Sequence, residues 1–284
     1  VKHIVTSGCS FSNTEDCVDY TSHGMDYYSY QLDNYKSWAL HLEDIIPNSK
    51  VYNTAKPAAG NGYISRAVIY KVNEMLEQYK KPDYVFIQLS SCDRKELLVD
   101  IKDATSQTDK NIITHFIPEF DIKDVRHNKD IKLKNNNLLW LKHSYEEDSL
   151  MKYWYKYYYS VEVGYLRTLE HILRLQWFFN VNDISYKFFS GWNIFKDLPK
   201  IPRSPIELRH LWKMIDWDNF WFHRNNVIGL KWGGIKEWGE DNLPFKDRYV
   251  TGERLNENGT ALDEHPSNIA HREFAKQVVS KWIK

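Results

Sequence analysis

The chain has 284 residues, with 38 Lys and Arg balanced by 38 Asp and Glu, so its formal net charge is zero. That length suits one large domain, or one domain with sizeable insertions. Charge balance sets aside a nucleic-acid binder driven by a general basic field, and without a run of about 18 apolar residues no spanning helix is predicted.

The N-terminal segment enters an apolar strand at once, without a basic stretch and apolar core of the leader type. The expectation is therefore a cytoplasmic protein with neither membrane nor nucleic acid as partner. Three cysteines, Cys9, Cys17 and Cys92, lack metal-site spacing. They fit free thiols in a reducing compartment, and neither metal nor cofactor is expected. Aromatic residues make up 15% of the chain, with 11 Trp and 19 Tyr. Such side chains serve equally as core filling or as flat faces lining a cleft for sugars.

His3 to Thr6 reads as a short buried strand, turning through Ser7 and Gly8 into Cys9-Ser10-Phe11-Ser12. Ser37 to Ile46 predicts a helix stopped by Pro47, and Lys50 to Asn53 a short strand. After the loop Thr54 to Asn61, apolar residues at Ile64, Val68, Val72, Met75, Leu76 and Tyr79 repeat with a helical period. Asp83 to Leu89 is a β-branched and aromatic run, a buried strand. The order β-α-β-α-β predicts a parallel sheet covered by helices on both faces.

Residues 94–150, rich in Lys, Asn and Asp, read as an insertion. Met151 to Asn180 predicts a long helix or a broken pair, with Leu166, Leu169, Leu173 and Trp177 on one stripe. Ser185 to Ser190 is a further strand, and 191–262 a second, loop-rich insertion. Ser267 is positioned to cap a terminal helix carrying Ile269, Phe274, Val278 and Trp282. The whole is predicted to be one α/β domain, three layers deep, with a flavodoxin-like parallel sheet of about five strands.

A serine at the carboxyl end of the first strand stands where open α/β sheets bind ligands. To act as a nucleophile it needs a base, an orienting acid and donors for an oxyanion. Asp263-Glu264-His265-Pro266-Ser267 offers a base, His265, at the entrance of the last helix. Cys9 is either a thiol nucleophile or a small buried residue beside the turn. His271 lacks a metal-ligand partner one helical turn away, so packing or capping is the expectation. Arg94 either pairs with an acid or binds an anionic group of a substrate.

Four short blocks, in order along the chain, resemble those of the SGNH (GDSL-type) hydrolases, in a divergent branch associated with phage and bacterial genomes. Gly8-Cys9-Ser10-Phe11-Ser12 is similar to the first block, with Cys9 in place of the usual Asp. Asn53 to Asn61 is similar to the second, and Ser90-Ser91-Cys92-Asp93 to the third. Asp263 to Ser267 is similar to the last, with one residue fewer between acid and histidine.

The resemblance implies Ser10 as nucleophile, His265 as base and Asp263 as orienting acid, Glu264 being the alternative. It implies backbone oxyanion donors at Ser10 and at Ala58 or Gly60, and it places Cys92 where the family has an Asn side-chain donor. Asn61, Ser91 and Arg94 lie close by in sequence, and Trp217, Trp221 and Trp232 are candidates for a carbohydrate cleft. The expected activity is hydrolysis of a small acyl ester, such as an O-acetyl group on a sugar. The alternatives are an O-acyltransferase, or a glycan-binding or structural protein with a decayed site. The sequence leaves the oligomeric state open.

Overall fold

In the computed structural model the described residues are 1–13, 35–56, 59–100, 136–141, 156–196, 206–225, 231–252, 255, 259–260 and 263–283. The strands in chain order are β1 (Lys2–Ser7), β2 (Ser49–Asn53), β3 (Tyr84–Leu89), β4 (Lys95–Asp100), β5 (Asn136–Leu141), β6 (Ser185–Ser190), β7 (Arg224–Asn225) and β8 (Lys231–Trp232). The helices are α1 (Trp38–Ile45), α2 (Asn61–Glu77), α3 (Val161–Val181), α4 (Ile206–Met214), α5 (Ile235–Asn242), α6 (Phe245–Arg248) and α7 (Asn268–Gln277).

Four strands form the central sheet in the order β2-β1-β3-β6, all parallel. Neighbouring residues on each strand face opposite ways, so a strand buried on both sides reads as a continuous apolar run. Ile4, Phe86 and Phe189 enter one core with Trp38 and Leu42 of α1 and Phe274 of α7. Val5, Val85, Ile87 and Phe188 enter the other, with Ile64 and Val68 of α2 and Leu169 and Leu173 of α3. Helices therefore cover both faces of the sheet. Its order matches the first four strands of a flavodoxin-like sheet, and β1 and β3 flank the point where the chain reverses direction across it.

Among the described residues the sheet has four strands rather than about five. Where a fifth would lie beside β6, Phe220 makes a single parallel bridge to Phe188, and Trp221 N–H donates to Phe188 O at 2.7 Å. The 3-10 turn Trp217–Asn219 immediately precedes this bridge.

The 191–262 segment is more helical than expected. It contributes α4, α5 and α6, and Ile235 and Trp238 are buried with Phe274. The close approach of Gly234 explains part of this. A Cβ there would collide with the Ser190 carbonyl at the end of β6, so only glycine lets α5 dock on that rim. Within 94–150, β4 and β5 pair antiparallel, Lys95 opposite Leu141 and Asp100 opposite Asn136. Three predicted stripe residues lie outside the core: Tyr79 leaves α2 with a φ of 56° and is fully exposed, and Trp177 and Ile269 also face solvent. Among the described residues no helix is long and apolar enough to cross a membrane.

Candidate active site

Ser10 opens a 3-10 turn (Ser10–Ser12) immediately after β1, at the carboxyl rim of the sheet. A hub beneath it holds this turn. Gln88 of β3 is fully buried, and its Oε1 accepts from Cys9 N–H at 3.1 Å, Ser12 Oγ–H at 3.0 Å and Cys9 Sγ–H at 3.4 Å. Ser12 Oγ in turn accepts from the Trp38 indole at 2.7 Å. Asn53, at the end of β2, donates to Ser12 O at 2.7 Å. Gly8 is required by space, because a Cβ there would lie 2.6 Å from Gln88 Oε1 and closer still to Ser12 Oγ. Cys9 is wholly buried with its sulfur turned to Gln88, the small packed residue expected beside the turn and not an accessible nucleophile.

His265 comes from the opposite end of the chain, on the turn that enters α7. Its carbonyl accepts from Val250 N–H at 2.9 Å, and the next carbonyl, of Pro266, accepts from Tyr35 O–H at 2.9 Å. Ser267 caps α7 by accepting from Ala270 N–H at 3.0 Å, and its own hydroxyl donates to Asp247 O. Thr251, almost wholly buried, bonds both the carbonyl and the N–H of Asp263, at 3.3 and 3.4 Å.

These two anchored turns meet. His265 Nε2 lies 2.8 Å from Ser10 Oγ, and His265 Nδ1 lies 2.6 Å from Asp263 Oδ1. A carboxylate can only accept, so Nδ1 carries the proton and Nε2 is left to accept from the serine hydroxyl. Burial works to raise the Asp263 pKa, but the hydrogen bonds and charge of His265 outweigh it and hold the group below its ordinary value. Glu264, the alternative acid, points elsewhere and pairs with Lys236 at 2.6 Å. Ser10 is 7% exposed, while the His265 and Asp263 side chains are 21% and 14% exposed.

A short helical turn leaves its first N–H groups without internal acceptors. Accordingly the N–H of Ser10 has no acceptor among the described residues. Gly60 caps the N-terminus of α2, whereas Ala58 lies outside the described residues. Cys92 has its sulfur 3.9 Å from Tyr159 Oη.

The Asn61 side chain is engaged by other groups of the protein. Its amide donates to Ser90 O at 2.9 Å and to Thr168 Oγ1 at 3.2 Å, and its carbonyl accepts from Ser90 N–H at 2.8 Å. It ties the loop after β3 to the start of α2. Ser91 is half-buried and its carbonyl accepts from Arg94 N–H at 3.4 Å.

The three tryptophans proposed for a sugar cleft are dispersed. Trp217 packs on Trp212 with ring centroids 4.1 Å apart, its indole donating to Trp212 O, and it belongs to the core that holds Phe195 and Phe220. Trp221 packs in the other core, against Phe274 and Trp282. Trp232, on β8, lies under the Arg224 guanidinium at 4.6 Å. Aromatic faces are as useful for filling a core as for holding a sugar, and residue spacing does not separate the two uses. The tryptophan at the site is Trp192, whose ring meets Phe11 edge-on at 5.1 Å, while Phe11 lies 5.0 Å from the His265 ring.

Comparison of the chain with protein-family models and with curated proteins finds no match. Sequence reasoning missed Gln88, Trp38, Thr251, Tyr35 and Trp192. Gln88 had a visible signal, a lone amide inside the apolar run of β3. The others act only through tertiary contacts.

Proposed function

We propose that this protein is a serine esterase of the SGNH type, with Ser10 as nucleophile, His265 as general base and acid, and Asp263 as the orienting acid. The observation that carries the reading is the His265 ring bridging Ser10 Oγ and Asp263 Oδ1 at 2.8 and 2.6 Å. Three side chains in this relay have few structural reasons to converge from both ends of a chain, and the relay is what activates a serine at neutral pH. The four sequence blocks and the strand order support the family assignment.

Ser10 Oγ attacks the ester carbonyl carbon as His265 Nε2 takes the hydroxyl proton. The new O–C bond places negative charge on the carbonyl oxygen, which the Ser10 N–H and, as the family resemblance implies, a donor from the Gly60 loop would hold. Collapse breaks the ester C–O bond, and His265 returns the proton to the departing alcohol. Water then attacks the acyl-serine by the same route, releasing the acid and restoring Ser10. Loss of one oxyanion donor costs about two to three decades in rate. A thiol at Cys92 in place of an amide therefore implies a slow enzyme.

The substrate is a small acyl ester, an acetyl ester being the simplest. Hydrolysis of 4-nitrophenyl acetate tests this reading. Turnover by the wild type should exceed that of Ser10→Ala and of His265→Ala by at least about three decades. Equal rates in all three would overturn it.

A further inference from the structure

Arg94 is the anomaly of the site's surroundings. Arg174 donates to Ser65 Oγ, Arg224 to Asp241, Arg248 to Leu243 O and Arg272 to Glu273. The Arg94 guanidinium has no hydrogen-bond or ion-pair partner among the described residues, and its Nη1 is buried without an acceptor. A guanidinium is a set of five donors in a rigid fork, and burying one of them unpaired is unfavourable.

Packing nevertheless holds this group in place. Its Cζ sits 5.3 Å over the Trp192 ring, a cation–π contact that fixes the fork without satisfying its donors. The same ring touches Phe11, the residue after the nucleophile, and Phe11 touches His265. Arg94 also lines a cleft between the loop after β3, the first turn of α2 and the first half of α3, with Asn61, Gly62, Cys92, Arg167 and His171. Asp93 lines it too, but makes no ion pair with Arg94.

We propose that Arg94 is the anion-binding arm of the site, and that the substrate is a small ester carrying a carboxylate or phosphate group on its alcohol portion. Two oxygens of either anion would pair with the guanidinium fork by two parallel hydrogen bonds, the geometry in which arginine surpasses lysine. Trp192 would both hold Arg94 and flank the bound alcohol. The proposal rests on the serine-esterase reading for its catalytic consequence, but the anion site itself exists independently of turnover.

The test therefore has two arms. In the first, binding of 3- and 4-acetoxybenzoate and of their neutral methyl esters to Ser10→Ala protein is measured by calorimetry. A carboxylate should bind about tenfold or more tightly than its methyl ester, and adding Arg94→Gln should erase that difference while Arg94→Lys retains part of it. In the second, kcat/KM for the same pairs is measured in the wild type and in Arg94→Gln. The anionic-to-neutral ratio should fall from about ten or more toward one. Thermal unfolding verifies that the variants are folded. Equal binding of both members of each pair, or a preference that survives in Arg94→Gln, would overturn the anion site. Absence of turnover with intact anion-selective binding would overturn the esterase reading instead.

Discussion

His265 Nδ1 and Asp263 Oδ1 lie 2.6 Å apart with a single residue between them. The short spacing works because the same carboxylate oxygen also accepts the His265 backbone N–H at 2.8 Å. An aspartate that bonds the N–H two residues on closes a compact turn. Thr251 holds the backbone of that turn from outside. One residue fewer than the family pattern thus still brings acid and base together.

Asp263→Asn should keep this turn but offer the imidazole an amide, which permits the wrong tautomer. We expect kcat to fall by about three to four decades, whereas Glu264→Gln should change it little, since Glu264 is engaged with Lys236. Steady-state kinetics on an activated acetate separates the two acids. Because the folded-state pKa of Asp263 is lowered, its ionised form also adds stability above the ordinary carboxylate range. That contribution is lost as pH falls through the folded value.

His271 gives a second pH effect. It is fully buried, with Nε2 2.8 Å from Tyr35 Oη, and Tyr35 in turn donates to Pro266 O. Burial, with smaller contributions from His41 and His265, lowers its pKa from 6.5 to about 3. Between those values the unfolded chain binds a proton that the folded chain refuses, so stability falls as pH drops from about 6.5 toward 3. Urea unfolding at pH 7 and pH 5 should show this loss, and His271→Gln, which keeps a donor for Tyr35, should reduce it. An unchanged pH difference in that variant would show that other groups are responsible.

The hub under Ser10 should couple stability to reactivity. Gln88→Leu strips the acceptor from Cys9 N–H and Ser12 Oγ–H, at a cost of about 1–3 kcal/mol per orphaned group. Gly8→Ala forces a Cβ into Gln88 and Ser12 and should cost a similar 1–3 kcal/mol by overpacking. Both should lower the urea midpoint and slow acylation of Ser10 in the fraction that remains folded.

Trp217→Ala should cost about 3 kcal/mol, as a large aromatic truncation in a packed cluster, without altering kcat/KM per folded molecule. Trp192→Ala should do the reverse in emphasis, raising KM through the loss of the ring beside Phe11 and Arg94. Unfolding curves and kinetics on the same preparations test the pair.

The order of strands and helices was legible because each element carries a local signal. The apolar runs of β1 and β3 and the helical period of α2 mark themselves. Ser10 and His265 were legible for the same reason, since each sits in a short block at an element boundary. The edge of the sheet was not, because Phe220, in a stretch that read as loop, makes a single bridge to Phe188 that carries no local strand signal. Asn61 stood in the right loop, but its amide is committed to Ser90 and Thr168, a partnership across more than a hundred residues. Trp192, Trp212 and Trp217 pack in one core and Trp221 and Trp238 in the other, on opposite faces of the sheet, and linear spacing does not encode which face of the sheet a segment reaches. Arg94 read as one half of a salt bridge, yet among the described residues it has no acid.

The central claim is that Ser10 is an activated nucleophile. Reaction with a fluorophosphonate probe, followed by intact mass and peptide mapping, tests it most directly. The account predicts a single adduct on the peptide containing Ser10, lost in Ser10→Ala and strongly slowed in His265→Ala. No adduct on the folded wild-type protein, or an adduct at Ser10 that forms equally fast without His265, would contradict it.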